Sequence, residues 1–440
     1  MENSTLTVPS KEAGATTQVR RRSLIASSVG NLLEWFDWTI YAVFSPFIAK
    51  ALFDPSDPTS ALLSTLAVFA VGFAFRPLGG ILFGTLADRV GRRTTMITTM
   101  LLMAAGSLLI AVTPSYAAIG GLASLILVVA RLMQGLAHGG ETAASYAYVS
   151  EIAPPRHRGL WSSAVFLSVS VGTLCATALG AGISAALPAA DADRWGWRIP
   201  FFLGAGLAVF ALFLRRGMME SEVYEEQIAG ADDGTTATET PKLPRRTLVL
   251  RGFKLMLYEG GTNVVYYTWT SFAAVFAITY HDMNAASAFL ASVFAQLIYI
   301  AAIPIGGFLA DKWGRKPVTL IFYGAFIIGI FPLMGMITDE PWTLFVAQSI
   351  ALVFIALVAG SKPAVLSELL PTRYRTRMLG FALSLAVAIF GGTAPYLNQW
   401  LYGEEIGWAF NVYIIVLCLI GMAVVSTWRE TKGVPLQDIV

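Results

Sequence analysis

Two carboxylates, Glu34 and Asp37, stand one helical turn apart inside the apolar stretch VGNLLEWFDWTIYAVF, residues 29–44. An ionisable group at bilayer depth costs at least about 2.5–3.5 kcal/mol by insertion scales, so acids there point to function. Glu34, Asp37, Trp38 and Tyr41 follow i, i+3, i+4, i+7 spacing and share one helical face. The chemistry open to such acids is proton binding. Further on, Arg76, Arg131, His138 and Glu141 interrupt apolar segments, as do Glu259 and Lys362. A guanidinium near the midplane suits a substrate carboxylate, which it grips bidentately.

The elements that must hold these residues are transmembrane helices. The 440 residues are 56% hydrophobic and only 13% charged, against about 25% charged in soluble chains. Apolar segments near the length a bilayer requires recur at 24–52, 60–84, 95–113, 119–150, 160–187, 198–216, 250–279, 286–310, 317–337, 342–369, 378–402 and 408–428. The pattern predicts an all-α integral membrane protein with twelve transmembrane helices. Residues 1–23 read as an N-terminal tail, 24–216 as one bundle, 217–248 as a polar linker, 249–428 as a second bundle and 429–440 as a C-terminal tail. The first apolar segment is too long for a signal-peptide core and reads as a retained anchor.

Of the 30 Lys and Arg, only Lys50, Arg76, Arg131, Arg194, Arg198 and Lys362 lie away from the tails, the linker with its flanks, and four short basic loops. By the positive-inside rule those loops and both termini face the cytoplasm, in a cell (inner) membrane. A net charge of +2 spread over short loops gives no nucleic-acid surface. Cys175 and Cys418 lie in apolar segments as small hydrophobes, no cluster has metal-ligand spacing, and no phosphate-binding loop is present. The reading is no cofactor and no metal, with the proton gradient as energy source.

The chain repeats itself. GTLADRVGRR, residues 84–93, is answered by GFLADKWGRK, residues 307–316, and EIAPPRHR at 151–158 by ELLPTRYR at 368–375. Two copies of a six-helix unit therefore lie parallel in the membrane, a transporter architecture. Gly84 and Gly91 suit a tight turn. Asp88 is placed to accept from arginines or from a helix N-terminus.

With GNLLEWFDW (30–38), FRPLGGILFG (75–84), RLMQGLAHGGE (131–141) and WGWRIPF (195–201), the chain resembles the metabolite:proton symporters of the major facilitator superfamily over about residues 20–430. That group includes permeases for alpha-ketoglutarate, shikimate, citrate and proline/betaine, and AIFGGTAPY (388–396) resembles the alpha-ketoglutarate permease. The resemblance implies two parallel bundles, the major facilitator fold, working as a monomer on a small-molecule substrate and protons. It also implies a cytoplasmic gate built from Gly84, Asp88, Arg89, Gly91, Arg92, Arg93, Glu151 and Arg158, with Asp311, Gly314, Arg315 and Glu368 from the repeat.

Helical rise puts Arg131 roughly 16 Å below the outer face and Asp37 roughly 20 Å above the inner one, so the two can meet. The arrangement is similar to sugar porters, in which such an Asp and Arg pair and part as the Asp binds and sheds a proton. A static buried ion pair is the bland alternative. Glu34 is the second choice for the proton, with no partner so clear, and His138 shares the Arg131 face as shuttle or packed polar residue. Arg76 can bind a substrate carboxylate, pair with Glu34 or Asp37, or do both. Trp38, Tyr41, Glu141, Asn263, Tyr266, Tyr267 and Tyr396 complete the expected substrate site. Lys362 snorkels, pairs with Glu259, or lines the inward exit. The function expected is proton symport of a small organic acid, a dicarboxylate or oxo-acid. The alternatives are a proline/betaine-type zwitterion, drug:proton antiport, and a non-transporting membrane sensor.

Overall fold

The computed structural model describes residues 30–90, 92–139, 141–216, 244–370 and 375–436, all helix and loop with no strand among them. In chain order the spans are α1 (30–43, resuming as Ser45–Leu52), α2 (Pro58–Ala74 and Arg76–Val90) and α3 (Arg92–Val112). Next come α4 (Gly121–Ala137 and Glu141–Ile152), α5 (Arg158–Ala186) and α6 (Ile199–Arg216). The second half has α7 (Arg245–Tyr267, Thr268–Phe272, Ala273–Tyr280), α8 (Ala285–Trp313) and α9 (Arg315–Gly335). It closes with α10 (Pro341–Ala359 and Lys362–Glu368), α11 (Arg375–Ala386, Val387–Gly391, Ala394–Gly403) and α12 (Trp408–Ser426). The expected segments are matched closely. Helix α1 is described from 30 onward, so its expected start at 24 lies outside the described residues, as do the tail 1–23 and linker residues 217–243. The linker ends sooner than expected, because Arg245–Thr247 already form the first turn of α7, behind Pro244 at its N-cap.

Prolines explain most of the breaks. Helices stop at Phe44, Phe75, Ser361 and Thr393, each two residues ahead of Pro46, Pro77, Pro363 or Pro395. A proline lacks the N–H that would continue the ladder and is tolerated in a restarted first turn. The break in α4 at His138 and Gly139 has no proline and uses glycine instead. Three of these breaks free backbone near a charged residue that the site uses, at Arg76, His138 and Lys362. Thr268–Phe272 and Val387–Gly391 form π turns, a device found often at functional sites.

Among the described residues seven helices are long and apolar enough to span unaided, and α3, α4 and α6 have shorter apolar runs. Helices α1 and α7, the first of each half, are in neither group, and they carry Glu34, Asp37 and Glu259 within the bundle. Glycines bring the remaining helices close enough to hold the charges. A Cβ at Gly135 of α4 would fall 2.1 Å from the Gly72 carbonyl oxygen of α2, and one at Gly306 of α8 would fall 2.1 Å from Ala356 of α10. Gly135→Val is therefore expected to lower the thermal midpoint in detergent sharply, by overpacking worth about 1–3 kcal/mol or more. Gly206→Ala, where nothing lies within 4 Å, should leave the midpoint in place; equal midpoints for the two variants would contradict this packing account.

Candidate functional site

Between the halves lies a cavity of about 40 Å³, room for roughly three water molecules. Arg76 and His138 reach it from the first half, Asn263, Tyr266 and Lys362 from the second. Trp35, Gly139, Tyr146, Phe166, Leu383, Ser384 and Val387 complete the wall. Both ends are shut. At one end Arg158 holds Glu368, while at the other Gln296 of α8 donates to Thr177 of α5 at 2.9 Å and Phe289 packs on Gly180.

Each half brings its own ion pair to this cavity. Arg76 Nη2 lies 3.1 Å from Glu34 Oε1, and His138 Nδ1 is 3.7 Å from the same oxygen, with all three side chains less than a tenth exposed. Of the readings open for Arg76 this is the pairing with Glu34, which gives that acid the clear partner it was expected to lack: α2 restarts at Arg76 beside Glu34 of α1. Across the cavity Lys362 Nζ lies 2.8 Å from Glu259 Oε2, and Asn263 Nδ2 donates to that oxygen at 2.8 Å. Of the three readings open for Lys362, the structure has the pairing with Glu259, and it also places the lysine on the cavity wall.

Asp37 and Arg131 do not pair directly, which corrects the expected contact. Gln134 stands between them: Arg131 Nη1 donates to its Oε1 at 2.8 Å, and its Nε2 donates to Asp37 Oδ2 at 2.8 Å. Ser107 of α3 donates to Asp37 Oδ1 and accepts from Gln134 Nε2 at 2.9 Å. Two residues intervene between Arg131 and Gln134 on one helix, so the amide reaches the carboxylate first. The Arg131 guanidinium lies 4.0 Å from the Trp38 ring and 4.3 Å from Tyr41, and that of Arg76 lies 4.3 Å from Trp38. Such desolvated cation–π contacts are worth about 2 kcal/mol.

Of the expected substrate contacts, Arg76, Asn263 and Tyr266 line the cavity. Trp38 and Tyr41 sit behind the wall under the arginines, and the Tyr41 hydroxyl donates to the Thr65 carbonyl at 2.9 Å. Tyr267 stacks on Trp35 at 5.9 Å rather than facing the cavity. Tyr396 is absent from the wall, a correction: α11 presents Leu383, Ser384 and Val387 there, and Tyr396 follows the break after the π turn. The side chain of Glu141 lies outside the described residues. Gln134, Ser107, Trp35, Tyr146 and Phe166 were not singled out by sequence. Gln134 had a signal, since it lies on the 131–138 face of α4, whereas Ser107 carries no charge that would mark it.

The gate residues meet in a reciprocal way. Arg158 of the first repeat grips Glu368 of the second at 2.6 Å, and Arg375 of the second grips Glu151 of the first at 3.0 Å. Each arginine also bonds a carbonyl of its own half, Ser150 at 3.2 Å and Ser367 at 3.0 Å. Asp311 accepts the N–H groups of Gly159 and Leu160 at the start of α5, both at 2.8 Å, the helix N-terminus contact expected for its repeat mate Asp88. Arg315 bonds both Asp311 and Glu368. Gly314 adopts φ +112°, a conformation that favours glycine, and Glu430 caps α9 through the N–H groups of Arg315 and Lys316. Gly91 lies outside the described residues, as does the side-chain placement of Gly84, Asp88, Arg89, Arg92 and Arg93.

Comparison with known proteins agrees with this geometry. The family description Sugar (and other) transporter matches residues 23–240, and Major Facilitator Superfamily matches residues 260–438. The alpha-ketoglutarate permease of Escherichia coli (strain K12) is 32% identical over 99% of this chain and 100% of its own length. The chain belongs to the major facilitator superfamily. The citrate-proton symporter of Klebsiella pneumoniae is 30% identical over 89% of this chain and 88% of its own. The putative proline/betaine transporter of Staphylococcus haemolyticus is 32% identical over 96% and 90%. The fold is that of the D-xylose-proton symporter, with a TM-score of 0.70 at 20% identity over 93% of this chain and 98% of that one. This superfamily member is thus a multi-pass membrane protein from a family of proton-coupled transporters, and not an enzyme.

Proposed function

We propose that this transporter imports a small organic anion, a dicarboxylate or oxo-acid, with protons, by alternating access around the central cavity. One observation carries the reading: two buried cations, Arg76 and Lys362, face one closed cavity from opposite halves. A substrate carboxylate can displace an acid from either cation only as that acid is neutralised, which ties binding to protonation. Asp37, joined to Arg131 through Gln134, and Glu34 with His138 are the first-half proton groups. The reciprocal Arg–Glu latch closes the cytoplasmic end, and both termini lie on that side. Binding of radiolabelled alpha-ketoglutarate to the purified protein tests this. Citrate and other carboxylates should compete and betaine should not. Arg76→Gln should weaken binding by about 30-fold or more, the loss of a buried charge-assisted contact.

A zwitterion such as betaine is the second reading. Each cation already has an acid beside it, and Trp35, Tyr146, Phe166 and Tyr266 offer aromatic faces for a quaternary ammonium. Competition by betaine with none by any carboxylate would favour it and sink the first.

A further inference from the structure

We infer that Glu259 and Lys362 form a second coupling site, in which Lys362 holds the second carboxylate of a dicarboxylate substrate and Glu259 takes a second proton. The inference rests on the organic-anion reading and adds to it the substrate's second anchor and the proton count.

Glu259 is fully buried, and its two oxygens differ. Oε2 takes both Lys362 and Asn263, while Oε1 has no hydrogen-bond partner among the described residues. A buried carboxylate oxygen left bare costs about 1–3 kcal/mol unless something arrives to satisfy it, and a proton does so. Lys362 Nζ also approaches Asn263 Oδ1 at 3.5 Å, so the ammonium keeps a neutral partner when the glutamate lets go. Tyr146 of α4, Tyr258 and Tyr267 of α7 and Tyr323 of α9 are the other titratable groups within the field of Glu259, and none of them supplies a competing charge. A lysine that only snorkelled would reach for water at the cytoplasmic end. This one is 7% exposed and lines the cavity with Arg76.

Charge balance sets the proton number. Among the described side chains, the wall and the shell behind it hold three acids (Glu34, Asp37, Glu259) and three bases (Arg76, Arg131, Lys362). With the His138 imidazole on the same wall counted as neutral, the empty site carries no net charge. A dianion spanning Arg76 and Lys362 would leave two uncompensated buried negative charges, a several-kcal/mol penalty for each ion. Two protons remove it, one on a first-half acid and one on Glu259. Each comes from the outer solution with the substrate and leaves to the inner solution after release, so two negative charges and two protons cross together.

The test uses the full-length protein in proteoliposomes with alpha-ketoglutarate as probe, an inward pH step of one unit and the membrane potential clamped at zero. Wild type should accumulate the probe about 100-fold, two protons for one dianion, since each coupled proton adds a factor of ten per pH unit. Glu259→Gln should lower the ceiling to about 10-fold and make uptake sensitive to membrane potential. An unchanged, potential-insensitive 100-fold ceiling in that variant would overturn the inference while leaving the organic-anion reading intact. Wild type that accumulates no carboxylate at all would instead overturn both. Should the single variant not reconstitute, the double variant E259Q/K362Q removes both charges and leaves no unpaired ion. It should lose at least about 10-fold in apparent affinity for alpha-ketoglutarate and keep its apparent affinity for pyruvate, which has one carboxylate. Equal losses for the two probes would contradict a second anchor.

Discussion

Asp37→Asn is expected to remove the first-half proton and cut accumulation under a one-unit pH step from about 100-fold to the roughly 10-fold that Glu259 alone supports, while leaving counterflow exchange. Asp37 accepts on both oxygens, from Ser107 and from Gln134 Nε2, and that arrangement fixes which way the Gln134 amide faces. With Nε2 turned to Asp37, Oε1 is left for Arg131 Nη1. A protonated Asp37 becomes a donor, which favours the opposite amide orientation and turns an N–H toward Arg131. Two donors then face each other, and the guanidinium is released. Gln134 would thus convert a proton on Asp37 into a change at Arg131, although the two charged groups never touch in this state. Asparagine imitates the protonated acid permanently: the transporter can cycle loaded but has no proton to exchange at this position. The measurement is uptake against counterflow in the same vesicles. Accumulation at wild-type level in the variant would remove Asp37 from coupling and leave Glu34, beside Arg76 and His138, as the first-half proton acid.

Breaking the latch has the other large expected effect. Arg158 and Glu368 are each about 2% exposed, and Glu368 also takes Arg315 and the Thr431 hydroxyl, at 2.6 Å from the latter. Removing one partner of a buried pair costs about 3–5 kcal/mol. Because the pair joins the two halves only while this end is shut, that cost falls on the closed state alone. Arg158→Ala should therefore shift the equilibrium toward the form open at this end by roughly 100-fold or more. A cysteine at Ser384 on the cavity wall, in a background lacking Cys175 and Cys418, reports the shift by its labelling with a membrane-impermeant maleimide from the latch side. Faster labelling in the Arg158→Ala variant is expected. An unchanged rate would show that the latch does not control access.

Much of this was legible in the chain. The gate was written twice, and a duplicated Glu-to-Arg spacing at 151–158 and 368–375 implies two equivalent contacts. That each arginine would reach the other half's glutamate was not legible, because it follows from how the repeats face each other. Intramembrane charges identified themselves by their cost, so Glu34, Arg76, Glu259 and Lys362 were found as residues. Their pairings, Arg76 with Glu34 and Lys362 with Glu259, stood only as alternatives among others, since depth along a helix does not give rotation about it. Tyr396 was misplaced for the same reason, its helix being interrupted at Gly392 and Thr393. Neutral hydrogen-bonding residues such as Gln134 and Ser107 carry no energetic flag in an apolar segment, and only contact reveals them. The C-terminal residues read as a plain tail, yet Glu430, Thr431 and Lys432 fold against the latch. Nothing in their composition separates a tail that docks from one that does not.

The account stands or falls on uptake into proteoliposomes under an imposed pH gradient, with alpha-ketoglutarate and citrate set against betaine. Acid outside should drive accumulation of a carboxylate above its equilibrium level, and dissipating the gradient should stop it. Acid-driven accumulation of betaine and of no carboxylate would contradict it.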